Sequence, residues 1–312
     1  MKVILKLVFQ VVFCFSFLIP CKAQHLNFNV YYVIDDNDDY VFYCNNTTGE
    51  NQHLVVSFNK ILGLRANTSL PYAANVGDGK RMLFKLQREG LESFKDFSFN
   101  YSIYAAKANP KIRNIKYALP IKAGKSVEVK ELTELKELFD EKTVSDKLYG
   151  LAFMSSFNDT IYASRSGVVK EIEQYDSATG NSLIYNKRGN YIEIEHRDGT
   201  IATYSLFKNK SSFVKEGDDI VVGSPLAIVA GSNYDLGPHF VMTISYLKYK
   251  YDKNLDSDDW YTIGYVVPKF QTFRYNLTEL QGNSIYTAVF DDELITQEMT
   301  RKQKKKYLKS KR

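Results

Sequence analysis

The stretch 189–246 constrains the fold of this chain more than any other. Short runs of alternating apolar and polar residues follow one another in it, for example Tyr191–Glu195. Turn residues separate the runs, namely Asp198-Gly199, Glu216-Gly217-Asp218, Gly223, Gly231-Ser232 and Gly237-Pro238. Alternation with a period of two places successive side chains on opposite faces of a sheet, and Gly and Asp accept the backbone angles of tight turns. The stretch therefore predicts short antiparallel strands.

The same alternation occupies residues 24–120. Phe97, Phe99, Tyr101 and Ile103, for instance, are separated by single polar residues. Repeated strands with one polar face and turn clusters between them favour an antiparallel β-sandwich. The best architectural match is an immunoglobulin-like sandwich, although the paired cysteines and core tryptophan of antibody domains are missing. At 312 residues the chain is long enough for two domains, and we predict an all-β protein.

The first 23 residues have the layout of a secretory signal peptide. Lys2 and Lys6 precede an apolar run, and cleavage is expected after Ala23. Cleavage would leave Cys44 as the last cysteine, which excludes an intrachain disulfide; lipidation at Cys21 is the alternative. We expect an exported protein, periplasmic or extracellular, at the cell envelope.

The basic residues are concentrated at the two ends of the chain. Three of the 41 lie in residues 1–23 and eight in residues 301–312, so the body between them carries a net charge near −6 although the whole chain carries +5. A nucleic-acid binder would spread its basic residues over the folded surface. Nucleic acid is therefore excluded as a partner. The segment 301–312 is predicted to be a disordered or frayed helical tail. The alternative is a tail that contacts an anionic surface.

Two further segments flank the stretch 148–250. In the connector 121–147, Leu132, Leu135 and Leu138 fall at helical spacing and predict a short amphipathic helix within 126–147. Residues 251–300 contain apolar runs around Ile263 and Ile285, which predict extra strands that pack on the core.

Three short motifs carry a resemblance to a known family. They are Tyr149-Gly150-Leu151-Ala152-Phe153, Tyr204-Ser205-Leu206-Phe207 and Gly237-Pro238-His239-Phe240-Val241. With the glycine turns between them, residues 148–250 resemble the lysostaphin/LytM-type zinc metallopeptidases, which cut peptidoglycan cross-bridges. The resemblance implies an antiparallel β-barrel at 148–250.

A catalytic zinc needs about three protein ligands and one open position for water. The family takes its ligands from a His, an Asp and the last His of a His-x-His motif. By position, Ala152 replaces the Asp, Val241 replaces the last His, and Leu206 replaces one of two catalytic His residues. The family's first His ligand has no counterpart, since no His lies between His53 and His196, and the other catalytic His, the first of the His-x-His motif, is retained as His239. Because alanine, valine and leucine offer no lone pairs, no zinc or other cofactor is expected.

A rebuilt metal site is the alternative for this groove. It would combine His239 with carboxylates such as Asp146, Asp159 or Asp235, all of which lie in turn-like contexts. His196 is expected to be structural, since the family often carries a His there without catalytic duty. Tyr149, Tyr204 and His239 are the candidates to line a binding groove.

Three functions remain open at this point. The first is a non-catalytic exported protein that binds peptidoglycan stem peptides or an envelope partner protein, because degenerate family members are known as activators of cell-wall hydrolases. The second is an active peptidoglycan endopeptidase with rearranged ligands. The third is a structural or adhesive envelope protein whose N-terminal sandwich does the binding.

Overall fold

The computed structural model describes residues 27–90, 94–132, 148–174, 190–230 and 237–311. Within them lie twenty β-strands and two α-helices, which confirms the predicted all-β class. Neither of these α-helices has the length and apolar run needed to cross a membrane. Two compact units are distinguished, the first within Met1–Glu50, Ser57–Leu70 and Val76–Tyr101, the second within Asn51–Val56, Pro71–Asn75 and Ser102–Arg312.

The N-terminal third contains seven strands. They are β1 (Phe28–Ile34), β2 (Tyr40–Asn46), β3 (Gln52–Leu62), β4 (Leu64–Ala66), β5 (Tyr72–Val76), β6 (Gly79–Arg88) and β7 (Asp96–Tyr104). One sheet has the order β1-β2-β6-β4 and another the order β5-β3-β7. Two sheets are what a sandwich requires; the immunoglobulin-like assignment stays a prediction.

Aromatic packing holds the first unit together. The fully buried Phe42 ring stacks on Phe84 with 4.7 Å between ring centroids and meets Phe99 edge-on at 5.1 Å. Both geometries suit the quadrupole of an aromatic ring. Burial raises the pKa of the Cys44 thiol, which keeps it protonated and unreactive. This core therefore depends on apolar burial and not on a disulfide.

The second unit is built on one large sheet. Its strands are β8 (Lys116–Ala118), β9 (Ser126–Glu131), β10 (Gly150–Met154), β11 (Thr160–Tyr162), β12 (Gly167–Glu173), β13 (Tyr191–Glu195), β14 (Ile201–Ser205), β15 (Asp219–Ile220), β16 (Pro225–Ile228), β17 (His239–Tyr249), β18 (Tyr261–Tyr265), β19 (Lys269–Gln271) and β20 (Ser284–Thr287). The large sheet has nine strands in the order β15-β12-β13-β14-β17-β10-β9-β20, with β18 also paired to β17. Two small sheets, β11-β16 and β19-β8, complete the unit.

The register of the large sheet assigns every side chain to one of two faces. Met242 of β17 lies opposite Tyr204 of β14 and Leu151 of β10, and all three belong to the main hydrophobic core. We call this side the core face. Because neighbours along a strand alternate, Val241 and its partner Ala152 point to the other side. We call that side the second face.

The predicted connector is partly a strand. Residues 126–131 form β9, whose Val127 and Val129 enter the main core, because they alternate with polar neighbours and pair with β10 and β20. The helix prediction was therefore wrong for Ser126–Glu131. Its remaining part, 133–147, lies outside the described residues.

The basic C-terminal segment is a helix with a capped start, so of the two expected forms, a disordered or a frayed helical tail, the structure has the helical one. A short helix α1 (Asp292–Thr296) is followed by α2 (Arg301–Ser310). Thr300 and Gln303 form a capping box at the start of α2, in which each side chain bonds the backbone of the other residue. Such a box satisfies two N–H groups that a helix start otherwise leaves without a partner.

Removing this cap should loosen α2 while leaving the sheet intact. Thr300→Ala deletes the hydroxyl that accepts from the Gln303 N–H and should cost the helix about 1 kcal/mol. We expect faster amide hydrogen exchange across α2 and unchanged exchange in β17. Thr300→Ser, which keeps the hydroxyl, is the control, and equal exchange in both variants would contradict the role of the cap.

Candidate functional site

Four apolar side chains meet on the second face, and three of them occupy positions at which the motif resemblance implies a zinc ligand or a catalytic histidine. Leu132, Ala152 and Val241 are at most 2% exposed and pack together, and the half-buried Leu206 packs against them. We call these four residues the apolar cluster. The family motifs in the sequence pointed to Ala152, Leu206 and Val241. The structure adds Leu132, which follows β9.

Glycine makes room for the Leu132 side chain. A Cβ at Gly150 would lie 2.4 Å from Leu132 Cδ1 and 2.8 Å from Thr243 Cγ2, distances that no real Cβ tolerates. Leu132 therefore lies directly over the start of β10. The methyl groups of Leu132 fill the space on the second face that the side chain of any larger residue at position 150 would need.

Leu206 has an unusual backbone. Its φ of 70° lies in the left-handed region, which costs a residue with a Cβ about 1 kcal/mol or more. Its N–H donates to the Asn190 carbonyl at 3.0 Å, which fixes the end of β14. This conformation brings the leucine side chain to the apolar cluster.

His239 is the one polar family residue on the second face. It lies two residues before Val241 on β17, and is 4% exposed. Its Nδ1 donates to the Gly237 carbonyl at 2.8 Å. Burial lowers the pKa of His239, and the nearby Lys130 ammonium lowers it further. The imidazole is therefore neutral at physiological pH.

The other two groove candidates pack against the main core. Tyr204 is fully buried on the core face, where its hydroxyl accepts from the Ser164 N–H at 2.8 Å and burial raises its pKa to about 12. Tyr149 packs against the same core, and burial raises the pKa of its hydroxyl. Only His239 of the three lies beside the apolar cluster.

Of the carboxylates named for a rebuilt metal site, the structure describes Asp159, which is engaged by other groups. Asp159 forms an ion pair with Lys125 at 2.6 Å and accepts from the Ser156 N–H at 3.1 Å, as expected for a turn residue. Asp146 and Asp235 lie outside the described residues.

Residues 146–255 match the family model described as Peptidase family M23. The chain contains an M23 peptidase domain. The resemblance inferred from the sequence motifs is thereby confirmed. A comparison with curated proteins finds no match to the chain.

Solved structures similar to the chain belong to related proteins. The solution structure of lysostaphin is 19% identical with a TM-score of 0.25, over 34% of this chain and 38% of lysostaphin. LytM from Ruminococcus gnavus is 17% identical with a TM-score of 0.31, over 43% of this chain and 53% of that one. Csd3 from Helicobacter pylori is 12% identical with a TM-score of 0.28, over 90% of this chain and 80% of that one. The chain thus spans less than two thirds of lysostaphin and of LytM.

The side chains of the M23 domain do not fit a zinc ion at the family position. Ala152, Val241 and Leu206 have no donor atom, and the methyl groups of Leu132 lie among them. Elsewhere in the described part of the chain, no three His, Cys, Asp or Glu side chains are grouped so that they could hold a metal. No step of a reaction can therefore be derived through zinc at this site.

A buried charge network, which the sequence analysis missed, lies in the second unit. Arg165 is 1% exposed, and its guanidinium binds both carboxylate oxygens of Glu298 at 2.8 and 2.9 Å. The same guanidinium lies 2.9 Å from Asp198 and donates to the Tyr117 hydroxyl at 3.2 Å. Since Arg165 and Glu298 are 133 residues apart, no local motif could have revealed the pair. The network joins the M23 domain to the segment between α1 and α2.

His196 lies beside this network and is structural, as the sequence analysis expected. It is 1% exposed, and its Nδ1 donates to the Ser166 carbonyl at 2.9 Å. Burial, together with the neighbouring Arg165, lowers the pKa of His196 to about 3. The ring therefore stays neutral in the folded protein and takes no part in the second face.

The buried His196 should make stability depend on pH. In the unfolded chain a histidine has a pKa of about 6.5. As pH falls below that value, His196 becomes protonated in the unfolded state but not in the folded state. Its contribution to stability is therefore complete above about pH 6.5 and decreases as pH falls toward the folded pKa of about 3. The slope from one such group is at most about 1.4 kcal/mol per pH unit.

His196→Gln, which cannot titrate, should flatten this dependence. We expect urea unfolding between pH 6 and 4 to show a shallower decline for the variant than for the wild type. Some decline will remain, because burial also lowers the pKa values of His53 and His239. Identical slopes in the two proteins would contradict the assignment.

Proposed function

We propose that this protein is an exported, non-catalytic M23-family protein that acts at the cell envelope by binding. The observation that carries the proposal is the apolar cluster of Leu132, Ala152, Leu206 and Val241. An M23 enzyme needs at that place a metal that polarises the scissile carbonyl and activates a water molecule. Methyl groups can do neither, and the neutral His239 alone lacks the other ligands.

The partner we favour is an envelope protein, such as a cell-wall hydrolase that this protein would regulate. The support comes from exposed aromatic side chains on two loops of the M23 domain. Phe157 is 56% exposed and Phe213 is 54% exposed. Lys208 Nζ lies 5.9 Å from the centroid of the Phe157 ring. Exposed aromatic residues beside a cationic one are typical anchors of protein interfaces.

The loop that carries Phe157 adjoins the position of His239. The N–H of Ser155 donates to the Pro238 carbonyl at 3.1 Å, and Met154 pairs with His239. A partner anchored on Phe157 would therefore contact the same end of the sheet as a peptidase substrate. Because the apolar cluster has no polar group of its own and the neighbouring His239 and Ser205 are buried, a protein surface fits this region better than a peptidoglycan stem peptide.

The test measures hydrolysis of purified peptidoglycan sacculi by a cell-wall amidase with and without this protein. We expect the protein alone to release no muropeptides, and its addition to change the amidase rate. Phe157→Ser should abolish the change, whereas the control Phe273→Ser should not, since Phe273 is also exposed but lies outside the M23 domain.

Two results would contradict the proposal. Release of muropeptides by the protein alone, abolished by a chelator, would show an active peptidase. Co-sedimentation with sacculi that Phe157→Ser does not change, without any effect on the amidase, would favour direct binding of stem peptides.

A further inference from the structure

Helix α2 presents a continuous row of lysines to solvent. Lys302, Lys305, Lys306 and Lys309 follow one another at intervals of three, one and three residues, which places them on one side of a helix. All four are exposed, and none forms an ion pair with any residue that the structure describes. We call these four residues the lysine row. At 1.5 Å per residue it is about 10 Å long.

The opposite side of α2 is fixed to the second unit. The Tyr307 hydroxyl donates to Asp292 at 3.1 Å, and Lys311 forms an ion pair with the same carboxylate. The preceding Glu298 is held by Arg165. These contacts fix which side of α2 faces outward, so the lysine row keeps a defined direction relative to the M23 domain.

Most charges of α2 do not stabilise the helix itself; the exception in the lysine row is Lys309, which lies in the last turn and complements the helix dipole. Lysines three and four residues apart repel one another, and basic residues in the first turn, here Arg301 and Lys302, oppose the helix dipole. No acidic residue follows Glu298 in the chain. Repulsion among lysines on the exposed side of α2 would be relieved by an anionic partner.

We propose that the lysine row docks the protein on an anionic phospholipid membrane. A straight row of charges on a convex helix suits a flat, charged surface, because all four ammonium groups can reach it at once. Leu308, which is 40% exposed, lies at the edge of the row and can enter the headgroup region. Basic residues beside an exposed apolar side chain are typical of helices that lie on membranes.

The experiment is co-sedimentation of the full chain with vesicles. Vesicles of phosphatidylcholine with about one third phosphatidylglycerol are compared with pure phosphatidylcholine, at low and at high salt. Each lysine near such a surface contributes about a fivefold gain in partitioning, so replacing all four by glutamine should reduce binding by about 600-fold. High salt should weaken the binding of the wild type, since it screens the surface charge.

The matched control removes two basic charges from the fixed side of α2, and it is compared with Lys305→Gln together with Lys306→Gln, which removes two from the lysine row. The control is Lys304→Gln together with Lys311→Gln, because Lys311 pairs with Asp292 and Lys304 lies about two turns before Lys311 on the same side of α2. We expect this control to lose far less binding than the variant of the lysine row. Helical circular dichroism of both variants shows that α2 persists.

Three outcomes would overturn the inference. They are equal loss of binding in both variants, equal binding to anionic and neutral vesicles, and binding to a soluble anionic polymer such as polyphosphate with none to vesicles. The amidase assay with Phe157→Ser tests a different surface, so failure of one proposal leaves the other intact.

Discussion

Replacing Arg165 by methionine should lower the free energy of unfolding of the second unit by about 3 to 5 kcal/mol. The substitution keeps a long side chain but leaves Asp198 and Glu298 without the guanidinium that binds them at 2.9 and 2.8 Å. Both carboxylates are nearly inaccessible to water, with side-chain exposures of 3% and 9%. Removing one partner of a buried ion pair is costly because the remaining charge is neither solvated nor paired.

Urea unfolding followed by circular dichroism measures the effect. The control is Lys125→Gln, which breaks the half-exposed ion pair with Asp159 and should cost less than about 1 kcal/mol. Glu298→Gln should loosen α2 and raise its amide exchange, whereas α1 should change little, because the buried Leu294 packs against Ala118 and Val222. If Arg165→Met were no more destabilising than Lys125→Gln, the network would not be the anchor that the geometry indicates.

A carboxylate introduced into the apolar cluster should also lower the free energy of unfolding. Ala152→Asp places an acidic group among Leu132, Leu206 and Val241, with Lys130 of β9 as its cross-strand neighbour. We expect a loss of about 2 kcal/mol, because burial of a carboxyl among apolar side chains is unfavourable and the Lys130 ammonium offsets only part of that cost. Zinc should not restore this single variant, since one ligand does not hold the ion.

A second substitution should make the stability of the Ala152→Asp variant depend on zinc. Position 241 lies directly opposite position 152 in the β10–β17 register, so Val241→His would set an imidazole beside the new carboxylate. Zinc at about one hundred times its Kd would then stabilise the double variant by about 2.7 kcal/mol. Thermal unfolding with and without zinc measures this shift.

The matched control is Ala227→Asp, at a fully buried alanine on β16 in the main core. It should lose similar stability and gain nothing from zinc, with or without Val241→His. A wild-type protein that zinc stabilises as much as the double variant would contradict the account of the cluster.

The sequence predicted the class of fold and the position of the site because both depend on local patterns. Alternation identifies strands, and the motifs around Ala152 and Val241 identified two positions that the structure places opposite each other. It failed at Tyr204, because the motif alone does not give the register of β14 against β17. In that register Ser205 is the partner of Val241, so Tyr204 must face the core.

Two other errors had signals that were available in the sequence. Val127 and Val129 alternate with polar residues, which indicates a strand. The helix predicted from the leucine spacing after them was drawn from residue 126 and so included them by mistake. Thr300 and Gln303 have the spacing of a capping box, which predicts an ordered helix start in spite of the basic composition. The pairing of Arg165 with Glu298 had no such signal, because it depends on tertiary packing alone.

We expect the apolar cluster to leave the M23 domain without zinc chemistry. The most direct measurement is native mass spectrometry of the full chain after incubation with zinc and dialysis, combined with a muropeptide assay of the same sample. The account predicts no retained zinc and no cleavage products. One zinc retained per chain, together with cleavage that a chelator abolishes and His239→Ala removes, would contradict it.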